Sequence, residues 1–184
     1  MKIVIAPDSF KGCCTAAKAA SYISKGIKSV YPEAELTCLP VADGGEGTVD
    51  SLVDALGGEK VSLTVNGPMG TPVKACYALL PGGLCALEMA SASGLPLVPK
   101  ELRNPCKASS YGTGEVIKAA LDKGCRKFLV GIGGSATNDA GVGMAQALGF
   151  SFLDSDGKEI GPGGAELARV ASLDLSKADP RIAE

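Results

Sequence analysis

The sequence has no histidine among its 184 residues. This absence excludes Ser-His-Asp and Cys-His catalysis, and it also excludes every metal site that depends on imidazole ligands. Acid–base chemistry in this chain must therefore come from carboxylates or lysine.

Long apolar runs are also missing, because no stretch approaches the roughly 20 residues of a membrane span. The opening MKIVIAPD enters a strand pattern directly, without the longer apolar core of a secretory signal. The formal net charge is −2, which disfavours a nucleic-acid surface, where a basic stripe is typical. Hydrophobic residues make up 46% and charged residues 21%, as in a globular protein. We expect a cytoplasmic protein with neither a membrane nor a nucleic acid as partner.

The seven cysteines are scattered along the chain. Their number is odd and no C-x-x-C spacing occurs, so neither a disulfide scaffold nor a zinc cluster is indicated. Most of them stand in apolar runs, which is typical of small core residues in a reducing compartment.

The first part of the chain alternates strands and helices. Strand patterns at 2–6 and 35–41 are each followed by a loop and a helix pattern, at 15–31 and 48–56. This order predicts a parallel sheet with crossover helices.

A change of rhythm occurs near residue 60. Three strand patterns without helices occupy 60–66, 73–80 and 84–90, and they predict a meander that begins a second lobe. Helix and strand patterns then alternate again at 112–124, 126–133, 140–149 and 149–154. The chain stops where DPRIAE would open another helix. We therefore expect it to be part of a longer protein and to be inactive alone.

Four loops combine glycine with Asp, Ser, Thr or Lys where a strand pattern gives way to a helix. They are PDSFKG (7–12), ADGGEGT (42–48), SSYGTGE (109–115) and GIGGSATND (131–139). Helix N-termini at such strand ends favour anions, so the set indicates a phosphate-handling site. Each loop alone is also explained by turns and helix caps.

A phosphate-handling site is compatible with more than one class of protein. No Walker A loop occurs, but Gly131–Ala136 fits the G-x-G-x-x-[GA] dinucleotide pattern, with Asp154 or Asp156 further on as the acidic residue. An NAD(P)-binding Rossmann oxidoreductase is thus one alternative. A non-catalytic small-molecule binding module is another.

Five motifs in order resemble the bacterial type I glycerate kinases. They are APDSFKG (6–12), PVADGGEGT (40–48), EMASASGLPLVP (88–99), RNP followed by SSYGTGE (103–115), and GIGGSATNDAGVGMAQALG (131–149). The resemblance implies transfer of the γ-phosphoryl group of ATP to D-glycerate with Mg²⁺. It also implies an α/β fold, with a flavodoxin-like or Rossmann-like parallel-sheet lobe beginning in 1–59 and a mixed-sheet α/β lobe inserted into it at 60–184. Family chains are about twice as long as this one.

Candidate roles for single residues come from the chemistry that phosphoryl transfer requires. Asp8 and Asp43 end strands of the first lobe, so they are expected to face each other as base and magnesium ligand, although either residue could instead cap a helix. Lys11 is a candidate for phosphate or carboxylate, Arg103 for the glycerate carboxylate, and Asp139 for magnesium. The remaining candidates for binding substrate or phosphate are Ser9, Gly44, Gly45, Thr113, Gly133, Gly134, Ser135, Thr137 and Asn138. The sequence does not assign ATP and glycerate to particular loops.

Overall fold

A computed structural model describes residues 1–10 and 13–183, so the candidate Lys11 lies outside the described residues. The predicted first sheet is present as two parallel strands, β1 (Lys2–Ile5) and β2 (Glu35–Cys38). Helix α1 (Ala16–Val30) connects them. Its first turn is capped by Thr15, whose hydroxyl accepts a hydrogen bond from the amide of Lys18 at 3.3 Å.

A second sheet has four strands in the order β3, β4, β5, β6. The first two pairings are antiparallel and the last is parallel, so the sheet is mixed. The predicted third strand ends earlier than residue 90, because α3 begins at Met89. The elements are β3 (Glu59–Asn66), β4 (Pro72–Leu80), β5 (Leu84–Glu88), α3 (Met89–Ser93), α4 (Tyr111–Asp122) and β6 (Lys127–Gly131).

Helix α2 (Thr48–Leu56) has the bounds that the sequence predicts. It packs against the second sheet, although its residues belong to the segment predicted to begin the first lobe. Its buried Val49 packs with Ala78, Leu80 and Ala86 of the four-stranded sheet. The boundary near residue 60 therefore separates the strands of the two sheets, whereas α2, from the 1–59 segment, covers the second sheet. The division into lobes stays a prediction.

The main core lies between the four-stranded sheet and α4. Tyr77, Leu87 and Val116 are each only 1% exposed within it. Glu115 fixes the start of α4 on the end of β3, because its carboxylate accepts hydrogen bonds from the backbone amide of Asn66 at 2.7 Å and from its side-chain amide at 2.9 Å. These hydrogen bonds tie the first turns of α4 to the end of β3.

The last part of the described chain contains α5 (Val142–Ala147) and a small antiparallel pair, β7 (Ser151–Leu153) and β8 (Ser172–Asp174). Strand β8 was not expected from the sequence. The helix start expected at the end of the chain is a short 3₁₀ turn, Pro180–Ala183. Among the described residues, no helix is long and apolar enough to cross a membrane.

Gly112 and Gly26 give a matched test of this packing. A Cβ on Gly112 would lie 1.9 Å from the carbonyl oxygen of Asn66, whereas a Cβ on Gly26, on α1, would meet nothing within 4 Å. We expect Gly112→Ala to lower the free energy of unfolding by at least ~2 kcal/mol through overpacking. Gly26→Ala should raise it by roughly 0.5–1 kcal/mol, since alanine favours a helix interior.

Urea unfolding monitored by far-UV circular dichroism measures both changes. Equal stabilities for the two variants would contradict the close approach of α4 to β3.

Candidate active site

Two glycine loops contact each other through their backbones. One comes after β2 (41–47), and the other begins at the last residue of β6 (131–137). The amide of Gly133 donates to the carbonyl oxygen of Gly44 at 3.0 Å. A Cβ on Gly131 would lie 2.4 Å from that oxygen, and a Cβ on Gly133 would lie 2.8 Å from the Cα of Gly45. The glycines therefore serve loop–loop packing, and the amide of Gly133 is not free for the anion-binding role predicted for it.

The second loop is also fixed on its other side. The carbonyl of Gly134 accepts from the amide of Leu95 at 2.9 Å, and the amide of Ala136 donates to the carbonyl of Ser93 at 2.9 Å. Between these anchors, Ser135 Oγ accepts from the amide of Thr137 at 3.0 Å and lies 2.8 Å from Thr137 Oγ1. Two hydroxyl groups are thereby held side by side. Asn138 comes next as an exposed residue.

These hydroxyls border a small cavity of about 270 Å³ that also contains Arg103. Arg103 is exposed, and its Nε donates to the carbonyl oxygen of Val98 at 3.3 Å. The structure thus brings together three of the predicted substrate-binding residues. The described residues that line it are Leu95, Val98, Arg103, Asn104, Pro105, Ala108, Ser135, Ala136 and Thr137.

Asp139 has a different environment from the one predicted. It is 2% exposed, and its carboxylate accepts hydrogen bonds from the amides of Ser110 (2.8 Å), Gly143 (3.2 Å) and Gly141 (3.2 Å) and from the hydroxyl of Ser110 (3.0 Å). The hydroxyl of Ser110 in turn accepts from the amide of Met144 at 3.0 Å. Both carboxylate oxygens are occupied by donors, so this geometry favours a structural link between α4 and α5 over the predicted magnesium ligand.

Thr113 is buried inside the protein. It is 1% exposed, and its hydroxyl lies 2.8 Å from the hydroxyl of Ser93. Gly114 is the next residue, and a Cβ there would lie 2.2 Å from the carbonyl oxygen of Met144. The SSYGTGE loop therefore packs α4 closely against its neighbours, and Thr113 has no surface with which to bind a substrate.

The remaining predicted acids lie apart from the small cavity. Asp8 and Ser9 line a separate cavity of about 560 Å³ together with Glu46, Asp50 and Asp54. An anion without a cation would be repelled there. Asp43 does not line that cavity, so the two aspartates do not face each other across it.

Asp43 is exposed and lies at the loop–loop contact, one residue before Gly44. Its Oδ1 accepts from the amide of Gly45 at 3.0 Å. In the described part of the chain, no group of three or more His, Cys, Asp and Glu side chains is placed to hold a metal. A magnesium site here would therefore depend on one or two carboxylates together with ligand oxygens.

Glu88 is a buried structural residue that the sequence analysis did not single out. Helix α2 begins after Gly47, which has no side chain to cap it, and the Oε1 of Glu88 accepts from the amide of Val49 at 2.6 Å. Burial raises the pKa of Glu88 above its usual value, and the hydrogen bonds from the amides of Val49 and Gly47 oppose this shift. Two features of the sequence point to this contact. Glu88 ends the apolar strand LCALE, and the helix pattern at 48–56 begins after a glycine, which has no side chain to cap it.

The sequence and the mixed α/β fold of this chain both match one family of known proteins. The model of the glycerate kinase family matches residues 3–184. Glycerate kinases of Bacillus subtilis and Haemophilus influenzae are 55% and 56% identical over 183 residues, which is 99% of this chain and 48% of each relative. A solved structure from Salmonella typhimurium LT2, described as a glycerate kinase 2, superposes with a TM-score of 0.84 at 48% identity and covers 100% of this chain and 50% of that one.

The fold and the site define a mixed α/β protein with its polar loops at strand ends. The chain belongs to the glycerate kinase family. It spans about half the length of the curated relatives it matches. This membership replaces the dinucleotide interpretation of Gly131–Ala136, and the glycines of that loop are explained by backbone contact.

Glu88 gives a pH-dependent prediction for stability. Because its pKa is raised in the folded state, the folded protein binds the proton more tightly than the unfolded chain. Stability should then fall as pH rises above the unfolded value of about 4.5 and through the folded pKa. Glu88→Gln removes this titration, so its melting temperature should fall less over the same interval.

Differential scanning fluorimetry between pH 4.5 and pH 8 (about the range in which carboxyl groups with raised pKa values titrate) measures the slopes. Glu33→Gln, at an exposed position, is the control and should keep the wild-type slope. Identical slopes for Glu88→Gln and wild type would contradict the assignment.

Proposed function

We propose that this chain acts in the ATP-dependent phosphorylation of a hydroxyl group of D-glycerate. The observation that carries the proposal is the small cavity in which Arg103 stands beside the hydroxyls of Ser135 and Thr137. A guanidinium group and neighbouring hydroxyls suit a small hydroxy acid, and the family match supports this substrate. Because the chain spans about half of its relatives, the activity of the whole protein is part of the proposal.

Arg103 is suited to the glycerate carboxylate. Its Nε is held by the carbonyl oxygen of Val98 at 3.3 Å, which orients the guanidinium plane. The two terminal nitrogens are then available as a fork for a bidentate carboxylate. Ser135 and Thr137 are held by their mutual hydrogen bonds and would accept and donate to the glycerate hydroxyls.

Asp43 does not line the small cavity, but it is the candidate base because its loop contacts the loop that carries Ser135 and Thr137. Its neighbour Gly44 contacts Gly133, two residues before Ser135, so the loop contact brings Asp43 towards the same end of the sheet. In phosphoryl transfer the attacking hydroxyl oxygen forms a bond to the γ-phosphorus, its proton passes to a carboxylate, and the bond to ADP breaks. An exposed carboxylate with one oxygen fixed by the amide of Gly45 is compatible with accepting that proton.

The residues present are compatible with Mg²⁺ bound to ATP. Magnesium binds through one or two protein carboxylates plus phosphate oxygens, and Asp43 and Asp8 are the candidates for this role. The ion would neutralise charge on the phosphates. Asp139 is not retained as a ligand because its oxygens already accept hydrogen bonds. Cytoplasmic location stays a prediction.

The test of the proposal uses a chimera. These 184 residues would replace the matching segment of the Bacillus subtilis glycerate kinase, which is 55% identical over that segment. We expect the chimera to release ADP from Mg·ATP only when D-glycerate is present, and to ignore nicotinamide cofactors. Failure of a folded chimera to consume ATP with D-glycerate would contradict the proposed function.

In the same chimera, Arg103→Met should raise the KM for D-glycerate at least ~10-fold, because a charge-assisted hydrogen bond to the substrate is lost. The change in kcat should be smaller. Lys100→Met is the matched control, since Lys100 is exposed nearby but does not line the cavity. An unchanged KM in the Arg103 variant would remove this residue from the glycerate site.

Asp43→Asn isolates the charge of the candidate base. Asparagine keeps the acceptor for the Gly45 amide, so the turn and the melting temperature should be preserved. We expect kcat to fall by about two orders of magnitude or more. Near-normal turnover with unchanged stability would show that Asp43 only shapes its turn.

A further inference from the structure

A large cavity in the described part of the chain is not used by the site above. It has a volume of about 760 Å³ and lies between the β3–β4 turn, the segment before α4, and the end of α5. We propose that this cavity binds a nucleoside triphosphate, with the base against its apolar wall and the phosphates at its lysines. The inference rests on the proposed function, since it names the binding site of the phosphoryl donor.

The position of the cavity is the first support. Strands β5 and β6 are parallel and end together at Glu88 and Gly131. Strand β4 runs antiparallel to β5, with Tyr77 opposite Leu87, so the residues of β4 before Tyr77 extend beyond the end of β5. The β3–β4 turn therefore overhangs the carboxyl ends of the parallel strands, which is where α/β proteins bind their ligands.

The lining combines an apolar wall with cations. Pro68, Met69, Phe150, Ile160 and Pro162 form the apolar part, which suits a planar base. Lys107 and Lys177 also line the cavity, and Lys118 lines an adjoining cavity of about 490 Å³ that shares Lys177 with the larger one.

The three lysines differ from the carboxylate of the cavity in their contacts with described residues. Within residues 1–10 and 13–183, none of the three lysine ammonium groups forms an ion pair. The one carboxylate that lines the larger cavity, Glu159, accepts from the side-chain amide of Gln146 at 2.8 Å and from the amide of Phe152 at 3.0 Å. Among the described residues the larger cavity is thus lined by two lysines and one carboxylate, and the phosphates of a nucleotide would complement this net positive charge.

Both walls are held in place by backbone contacts. The amide of Ser109 donates to the carbonyl of Pro68 at 2.9 Å, and the amide of Asp179 donates to the carbonyl of Leu148 at 2.8 Å. Gly149 has φ of +93°, and a Cβ there would lie 2.1 Å from the carbonyl oxygen of Lys177. The segment that carries Lys177 is therefore anchored on the end of α5, and the cavity is preformed.

The segment 103–109 borders both cavities. Arg103, Asn104 and Ala108 line the small cavity assigned to glycerate, while Lys107 and Ser109 line the large one. Phosphates held at Lys107 would therefore lie next to the segment that binds the acceptor. This placement is the one that a phosphoryl donor requires.

The test measures nucleotide binding to the 184-residue chain itself, because every residue of the cavity is within it. Methylanthraniloyl-ATP is titrated by fluorescence and then displaced with ATP. The double variant Lys107→Met/Lys177→Met should bind at least ~10-fold more weakly, since it loses two charge-assisted contacts. The control Lys18→Met/Lys25→Met makes the same charge change on α1 and should stay within about 2-fold of wild type.

The outcomes separate the cavity from the activity. Nucleotide binding that both double variants weaken equally, or no binding at millimolar ATP, overturns the cavity assignment whatever the chimera does. Selective weakening by the Lys107 and Lys177 changes supports the assignment. If that selective result is obtained while the chimera has no glycerate-dependent turnover, the nucleotide site stands and the proposed substrate fails.

Discussion

The contact between two glycine-containing loops is the constraint on which the candidate site depends. The amide of Gly133 meets the carbonyl oxygen of Gly44 at 3.0 Å, and neither Gly131 nor Gly133 has room for a side chain. The two backbones can approach this closely because a Cβ on Gly131 or Gly133 would clash with the other loop. The loop after the two-stranded sheet is thereby fixed on the loop after β6, and this contact positions Ser135 and Thr137, which belong to the second of these loops.

Buried carboxylates reinforce this arrangement from inside. Glu88 accepts from the start of α2 and holds that helix on the four-stranded sheet, whereas Asp139 joins the start of α4 to α5. In each case the carboxyl group accepts hydrogen bonds from backbone amides, which satisfy a polar group that is buried away from water. Asp43, by contrast, is exposed, as the base in the proposed function would need to be.

The sequence predicted the regular elements better than the environment of single side chains. The bounds of α2 were predicted correctly because apolar residues recur at helical spacing between Thr48 and Leu56, and two glycines follow directly. The third strand of the meander was predicted too long, since the apolar run LCALEMA continues past Glu88 into α3. Asp139 and Thr113 looked like ligand residues because loop polarity does not reveal which donors the fold will bring to them.

Spatial neighbours distant in sequence account for the other differences. Arg103 and Ser135 line the same cavity although 32 positions separate them in the sequence. The sequence linked them only because both stand in motifs that resemble the glycerate kinases. Glu88 caps a helix that begins 40 residues earlier, which no local pattern encodes. The 760 Å³ cavity is formed by five separate segments, so its apolar wall could not be seen as a unit in the sequence.

Binding of D-glycerate in the small cavity beside the glycine loops is the central claim. The most direct measurement is a crystal structure of the chimera with D-glycerate bound. We predict the substrate carboxylate on the guanidinium group of Arg103 and its hydroxyl groups at Ser135 and Thr137. Glycerate bound in the acidic cavity beside Asp8, with the Arg103 cavity empty, would contradict this claim.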